Sequence, residues 1–190
     1  DMDDMKYFIK YSDDEHLVKL YNSNVSFGNS SYFAAKYGKI NLFKLMCIEN
    51  RKFHLENIIT AAVIYGHDSI VSFLLTKQDY ADRIKSGLFY ISAISRGHLS
   101  TIKILHKALG PDFNMQQAAD SAVEDDQLEI LLYLIDYRSS ITIDPIIIDY
   151  NLINGPRILK YVIQNGYKPD AEQISNYFVS LENMLSDGYV

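Results

Sequence analysis

Tryptophan is absent from this chain, cysteine occurs once, at Cys47, and there are only four prolines and nine glycines among 190 residues. A single thiol closes no internal disulfide, so the chain is not a disulfide-stapled scaffold, and a reducing, intracellular (cytoplasmic) setting is expected. No apolar run approaches the roughly 20 residues that a membrane-spanning helix needs. The opening Asp1-Met2-Asp3-Asp4 lacks the basic-then-apolar layout of a signal peptide. Excess positive charge is missing too: the formal net charge is -6, and Lys36, Lys44, Lys77, Arg96 and Lys103 are dispersed. A nucleic-acid binder displaces counterions from phosphate with a clustered basic face. Neither nucleic acid nor an anionic membrane is therefore expected as a partner. Asn24-Val25-Ser26 and Asn29-Ser30-Ser31 fit the glycosylation pattern, which chance produces often, and no use of it is expected.

Catalytic layouts are also wanting. There is no Gly-rich loop ending in Lys-Ser/Thr, no Gly-x-Gly-x-x-Gly, no His-Glu-x-x-His and no Gly-x-Ser-x-Gly elbow. An enzyme is not expected, nor a cofactor. His67 and His98 share a position one residue past a glycine. Adjacent helices pack about 8–10 Å apart, whereas zinc takes its ligands at about 2 Å. Both histidines are therefore expected to close a turn and start a helix, with no metal site, and His16, His54 and His106 have no partner at useful spacing. Asp120, Glu124, Asp125, Asp126 and Glu129 lack the alternating oxygens and central glycine of a calcium loop. They suit a solvated turn and helix start, with a docking spot for a basic partner left open. Cys47 falls on an apolar helical stripe and reads as a small buried hydrophobe.

What the chain has is repetition. Ala34-Ala35-Lys36-Tyr37-Gly38, Ala62-Val63-Ile64-Tyr65-Gly66, Ala93-Ile94-Ser95-Arg96-Gly97 and Ala122-Val123-Glu124-Asp125-Asp126 each precede an apolar helical stretch, and a fifth, degenerate copy turns at Asn154. The turn positions 38, 66, 97, 126 and 154 are spaced by 28, 31, 29 and 28 residues. Apolar residues recur at offsets 4, 5 and 8 from the turn, which is one face of a helix. Glycine permits the left-handed residue that closes a helix, and the small residues ahead of it let two antiparallel helices approach. One such pair cannot bury its face alone, whereas a stack of pairs makes a continuous core. Residues 1–29 are expected to form an N-terminal cap or degenerate repeat and 30–167 about five repeats. Residues 168–190 are expected to form a capping helix opened by Asp170-Ala171-Glu172-Gln173, with Ile174, Tyr177, Phe178, Leu181 and Leu185 inward.

The Ala-Ala-x-x-Gly pattern, the Gly66-His67 and Gly97-His98 pairs and the following Leu/Ile/Val helices resemble the ankyrin repeat over about residues 30–167. The steps are shorter than the family's period of about 33 residues, and the Thr-Pro-Leu-His signature is absent from every copy. The resemblance implies an all-α, ankyrin-like solenoid of stacked antiparallel helix pairs with shortened or absent β-hairpin fingers. Its irregular Ile/Tyr/Asn-rich style is similar to arrays of large DNA viruses and protists. The resemblance further implies a non-catalytic adaptor or scaffold, a monomer that binds another protein or peptide on a concave face. In such arrays the two residues before the turn face that groove. Carried over by position, these are Lys36 and Tyr37, Ile64 and Tyr65, Ser95 and Arg96, Glu124 and Asp125 and, in the degenerate copy, Leu152 and Ile153. Tyr and Arg are enriched at interface hot spots; mutual stacking of Tyr37 and Tyr65 is the purely structural use. The alternative function is a self-associating component of a larger particle.

Overall fold

The computed structural model describes residues 2–27, 30–49, 55–86, 88–141, 146–153 and 155–169, together with Ala171, Ile174, Ser175 and Phe178. Among the described residues every regular element is helical and none is a strand. Two compact units divide the chain, Asp1–Gly110 and Pro111–Val190.

The first unit contains α1 (Met2–Tyr11), α2 (Asp14–Asn22), α3 (Ser31–Lys36), α4 (Ile40–Glu49), α5 (Leu55–Ile64), α6 (Asp68–Leu75), α7 (Gln78–Ser86), α8 (Phe89–Ser95) and α9 (Leu99–Leu109). Its helices pack in two rows. The leading helices of successive pairs touch in the order α1, α3, α5, α8, and the following helices in the order α2, α4, α6, α9. The second unit contains α10 (Met115–Glu124), α11 (Leu128–Ile141), a 3-10 turn at Tyr150–Leu152 and α12 (Pro156–Gln164). There α10 packs against α11 and against the 3-10 turn.

Burial follows the repeat. The residues at offsets 4, 5 and 8 from each turn are all buried: Leu42, Phe43 and Met46; Ile70, Val71 and Leu74; Thr101, Ile102 and Leu105; Ile130, Leu131 and Leu134; Ile158, Leu159 and Val162. On the leading helices the pairs Ala34-Ala35, Ala62-Val63, Ala93-Ile94 and Ala122-Val123 are buried as well. Each large aliphatic side chain withdrawn from water in this way contributes about 1.5–3 kcal/mol, which offsets the ordering of short helices that are marginal alone.

The turns share one geometry. Gly38, Gly66 and Gly97 have φ of 69°, 67° and 73°. The residue after each donates its N–H five residues back, from Lys39 to Ala34, His67 to Ala62 and His98 to Ala93, at 2.9–3.0 Å. Asp126 adopts the same left-handed conformation with φ 52°, and Gln127 N donates to Ala122 O at 2.8 Å. Aspartate tolerates this region better than most residues, and here its side chain gives it a further use. The Asp126 carboxylate accepts from Ile158 N at 2.8 Å and from Arg157 N at 3.2 Å, capping α12. The Arg157 Nη2 donates in return to Asp126 O at 2.7 Å. Gly155 makes room for this contact, since a Cβ there would lie 2.2 Å from Asp126 Cβ.

The histidines close the turns and start the second helices as expected, as N-cap residues whose N–H groups donate to Ala62 O and Ala93 O, but their rings have a further use. Neither His67 nor His98 caps its own helix through its side chain. Each ring turns back onto the preceding pair. His67 Nε2 lies 2.7 Å from Lys36 O, and His98 Nε2 lies 2.8 Å from Ile64 O. A carbonyl only accepts, so Nε2 carries the proton in both. The rings occupy the space a side chain would need at the preceding turn: a Cβ on Gly38 or Gly66 would come within 2.7 Å of Nδ1 of His67 or His98. Lys39, at the equivalent position, reaches Ser12 O with its ammonium. Acidic residues complete the ties in the following-helix row. Asp14 accepts from Asn41 N at 2.8 Å and Leu42 N at 3.0 Å, and Asp68 accepts from the Thr101 hydroxyl at 2.6 Å.

The step of 31 residues hides an additional element. The segment between α6 and α8 forms α7, which buries Tyr80, Ala81 and Ile84 and packs against α5 and α6. The degenerate copy replaces its leading helix with the 3-10 turn. The expected capping box falls on residues outside the described ones, apart from Ala171. Ile174 and Phe178, expected inward, are exposed.

His67→Ala or His98→Ala is expected to destabilise the chain by about 1–2 kcal/mol, the loss of one part-buried hydrogen bond and its packing. Gly66→Ala is expected to cost at least about 1 kcal/mol through left-handed strain alone, with the His98 ring adding to it. Asp126→Ala keeps the left-handed strain and removes the α12 cap, for about 2 kcal/mol, while Asp126→Asn recovers part of it. Urea unfolding midpoints followed by circular dichroism check all five.

Candidate functional site

The residues singled out from the sequence stand at the ends of the leading helices. In the first unit Lys36 closes α3, Tyr37 is its C-cap, Ile64 closes α5 with Tyr65 following, and Ser95 closes α8 with Arg96 as C-cap. Lys36, Tyr37 and Ile64 are half-buried, whereas Tyr65, Ser95 and Arg96 are exposed. In the second unit Glu124 and Asp125 are exposed at the end of α10, and Leu152 and Ile153 are half-buried.

The structure brings Lys36, Tyr37 and Tyr65 together but does not stack the two tyrosines. Tyr37 stacks on Phe33 of its own helix, with centroids 6.4 Å apart and planes 13° apart. Tyr65 lies against His67 at 6.5 Å. The Lys36 ammonium bridges the two pairs, 5.8 Å from the Tyr37 centroid and 5.0 Å from that of Tyr65. A hydrogen bond to the Tyr65 hydroxyl raises the Lys36 pKa above the usual lysine value, so the side chain stays fully charged. Ile64 has a different role, because its carbonyl is the acceptor of His98. The tie that joins two pairs thus holds the base of Tyr65, whose side chain remains 45% exposed.

Sequence reasoning missed the first rung. Lys10 and Tyr11 end α1 just before Ser12, and Lys10-Tyr11-Ser12 repeats Lys36-Tyr37-Gly38. The missing turn glycine concealed it. Tyr11 is 73% exposed, and the Lys10 ammonium lies 4.9 Å from its centroid. The Lys10 pKa is raised by a hydrogen bond to the Tyr11 hydroxyl, with Tyr37 and Tyr7 adding to the effect. Tyr7 stacks parallel on Tyr11 at 6.4 Å, with Lys6 Nζ 5.4 Å from the Tyr7 centroid. Lysine–tyrosine pairs therefore recur along the row α1, α3, α5: Lys10 with Tyr11, and Lys36 with Tyr37 and Tyr65. Arg96 stands at the same end of α8, the next helix in that row.

Other features offer less. Among the described residues no group of three or more His, Cys, Asp or Glu could hold a metal ion, and no helix is long and apolar enough to cross a membrane. A cleft of about 260 Å³ in the second unit is lined by Phe113, Asn114, Met115, Gln116, Arg138 and Ile146. Its amide is committed: Gln116 donates to Ile147 O at 2.7 Å and to Asp120 Oδ1 at 2.8 Å, and accepts from Ile147 N at 3.1 Å. Cys47 is half-buried and burial pushes its thiol up to about 11, with the Tyr80 hydroxyl acting against the rise. A nucleophilic cysteine needs the opposite environment.

Modification of Cys47 by Ellman's reagent at pH 8 is expected to run about 20-fold or more slower than that of free cysteine, since only about a thousandth of the thiol is ionised there. Tyr80→Phe, which removes the group favouring the thiolate, is expected to slow it further.

No protein-family model matches the chain, and no match is found among curated proteins or solved structures.

Proposed function

We propose that the chain is an ankyrin-like solenoid acting as a non-catalytic adaptor or scaffold, in a reducing intracellular compartment, that holds another protein or a peptide along the ends of its leading helices. The observation that carries this reading is the row of exposed and half-buried tyrosines and lysines on helix ends tied pair to pair through backbone carbonyls. Tyrosine offers large contact area with only two torsions to freeze, and a surface already held in place loses little entropy on association. Aromatic and arginine anchors of this type dominate binding energy at interfaces. The repeating arrangement of helix pairs, with buried small residues before each turn and apolar residues at fixed offsets after it, supports the solenoid part of the reading.

A comparison of wild type with Tyr37→Ala/Tyr65→Ala/Arg96→Ala tests it, using each as bait in cytosolic extract with circular dichroism as a control for folding. The expected result is a partner retained by wild type and reduced at least about tenfold by the triple variant, as the loss of a hot-spot anchor implies. Equal retention would reject this surface. Sedimentation over a range of concentrations is expected to give a constant monomer mass; growth of the mass with concentration would favour the self-assembling alternative.

A further inference from the structure

The ladder of the first unit has a charge opposite to that of the chain as a whole. The formal net charge of the protein is -6, yet the helix-end positions Lys10, Tyr11, Lys36, Tyr37, Ile64, Tyr65, Ser95 and Arg96 carry three cations and no carboxylate. Three acidic residues of this unit are engaged elsewhere: Asp14 and Asp68 tie the following-helix row, and Glu56 pairs with Arg83. Among the described residues neither Lys10 nor Lys36 is in an ion pair. Their ammonium groups lie beside tyrosine rings instead. An ammonium has three donors, and a ring face uses its charge without saturating them. Beside each stands a tyrosine hydroxyl, so a carboxylate arriving there would receive charge-assisted hydrogen bonds in a setting where the aromatic wall excludes part of the water.

The period of the ladder restricts the ligand. Helices that touch lie about 8–10 Å apart, so lysine–tyrosine rungs recur at about that distance. A polyproline-type strand rises about 3.1 Å per residue and returns a side chain to the same face every third residue, after about 9.3 Å. An extended segment with an acidic residue at every third position therefore meets successive rungs in register.

We infer that the ladder formed by Lys10, Tyr11, Lys36, Tyr37, Tyr65 and Arg96 docks an extended, acidic segment of a partner protein, its carboxylates seated between lysine and tyrosine rungs. The inference rests on the adaptor reading and narrows it to one ligand chemistry.

Fluorescence anisotropy with the full chain and a short fluorescein-labelled peptide, carrying Glu at every third position between Pro and Ala, tests it. Saturable binding is expected, weakening several-fold as ionic strength rises from about 0.05 to about 0.2 M. The Gln counterpart of the peptide is expected to bind at least about tenfold more weakly. Lys10→Glu/Lys36→Glu and Tyr11→Ala/Tyr37→Ala/Tyr65→Ala should each lose about tenfold or more, and Lys10→Arg/Lys36→Arg should stay within about threefold of wild type. Lys10→Gln/Arg96→Gln alters two exposed positions and keeps the test valid if a half-buried substitution disturbs folding. Equal affinity for the Gln peptide, wild-type affinity in Lys10→Glu/Lys36→Glu, or no saturable binding would overturn the inference. If the acidic peptide fails while the extract experiment still yields a partner lost in Tyr37→Ala/Tyr65→Ala/Arg96→Ala, the adaptor reading stands and the acidic ligand falls. Self-association abolished by Lys10→Glu/Lys36→Glu would assign the ladder to a second copy of the chain and overturn the inference as well.

Discussion

A backbone carbonyl at the end of a helix has lost its partner within that helix and must find another. In the first unit the next helix pair supplies one. The Lys36 carbonyl takes the His67 ring, and the Ile64 carbonyl takes the His98 ring. The ring fits because the turn it crosses has glycine, at Gly38 and at Gly66, where a Cβ would overlap its nitrogen. Glycine therefore has two functions at these positions: it allows the left-handed turn within one pair, and it leaves room for the neighbour's side chain. Pair-to-pair register depends on this contact. Apolar packing alone tolerates sliding, whereas a directional bond to one carbonyl does not.

The same constraint produces the candidate site. Because the histidines grip the chain at Lys36 and Ile64, the residues at and beside those carbonyls are held at a fixed place on each helix end. Lys36, Tyr37 and Tyr65 inherit that order, and Lys36 then spans from one pair to the next across two tyrosine rings. In the second unit an aspartate takes over the turn. Asp126 accepts the left-handed conformation and uses its carboxylate to cap α12, with Gly155 as the residue that makes room. Two chemistries, a ring donating to a carbonyl and a carboxylate accepting from amides, thus solve the same problem of joining one pair to the next. The two differ in what they leave outside: aromatic and basic groups at the helix ends of the first unit, and Glu124 and Asp125 at the end of α10 in the second.

Much of the fold was legible in the sequence because burial repeats with the helical period. Offsets 4, 5 and 8 from each turn predicted the buried face in every copy, including the degenerate one at Ile158, Leu159 and Val162. Thr101 is the exception of type rather than place: a hydroxyl is buried at offset 4 because Asp68 accepts its hydrogen bond. The leading helices were legible from Ala34, Ala62, Ala93 and Ala122, whose small side chains have little other use at a turn. Less legible was α7. Its apolar set of Tyr80, Ala81 and Ile84 covers barely one turn, and nothing in the repeat pattern called for a helix there. The first pair was seen only as a cap or degenerate copy, because Ser12 stands where the other copies have glycine, and Lys10 and Tyr11 were overlooked with it.

The resemblance to the ankyrin repeat supplied the six groove candidates of the first unit from Lys36 to Arg96. From the sequence alone came the all-helical class, the spacing of the turns and the residues that face the core. These follow from local periodicity and from the conformational freedom of glycine, which residues a few positions apart express by themselves. The tertiary structure alone decided which way the side chains at the turns point. The His67 and His98 rings tie back to the preceding pair, Lys36 separates Tyr37 from Tyr65, and Asp126 caps a helix that begins at Pro156. Each of these contacts links residues about one repeat apart, and their direction is set by how neighbouring pairs pack, a quantity that no window of sequence within one repeat contains.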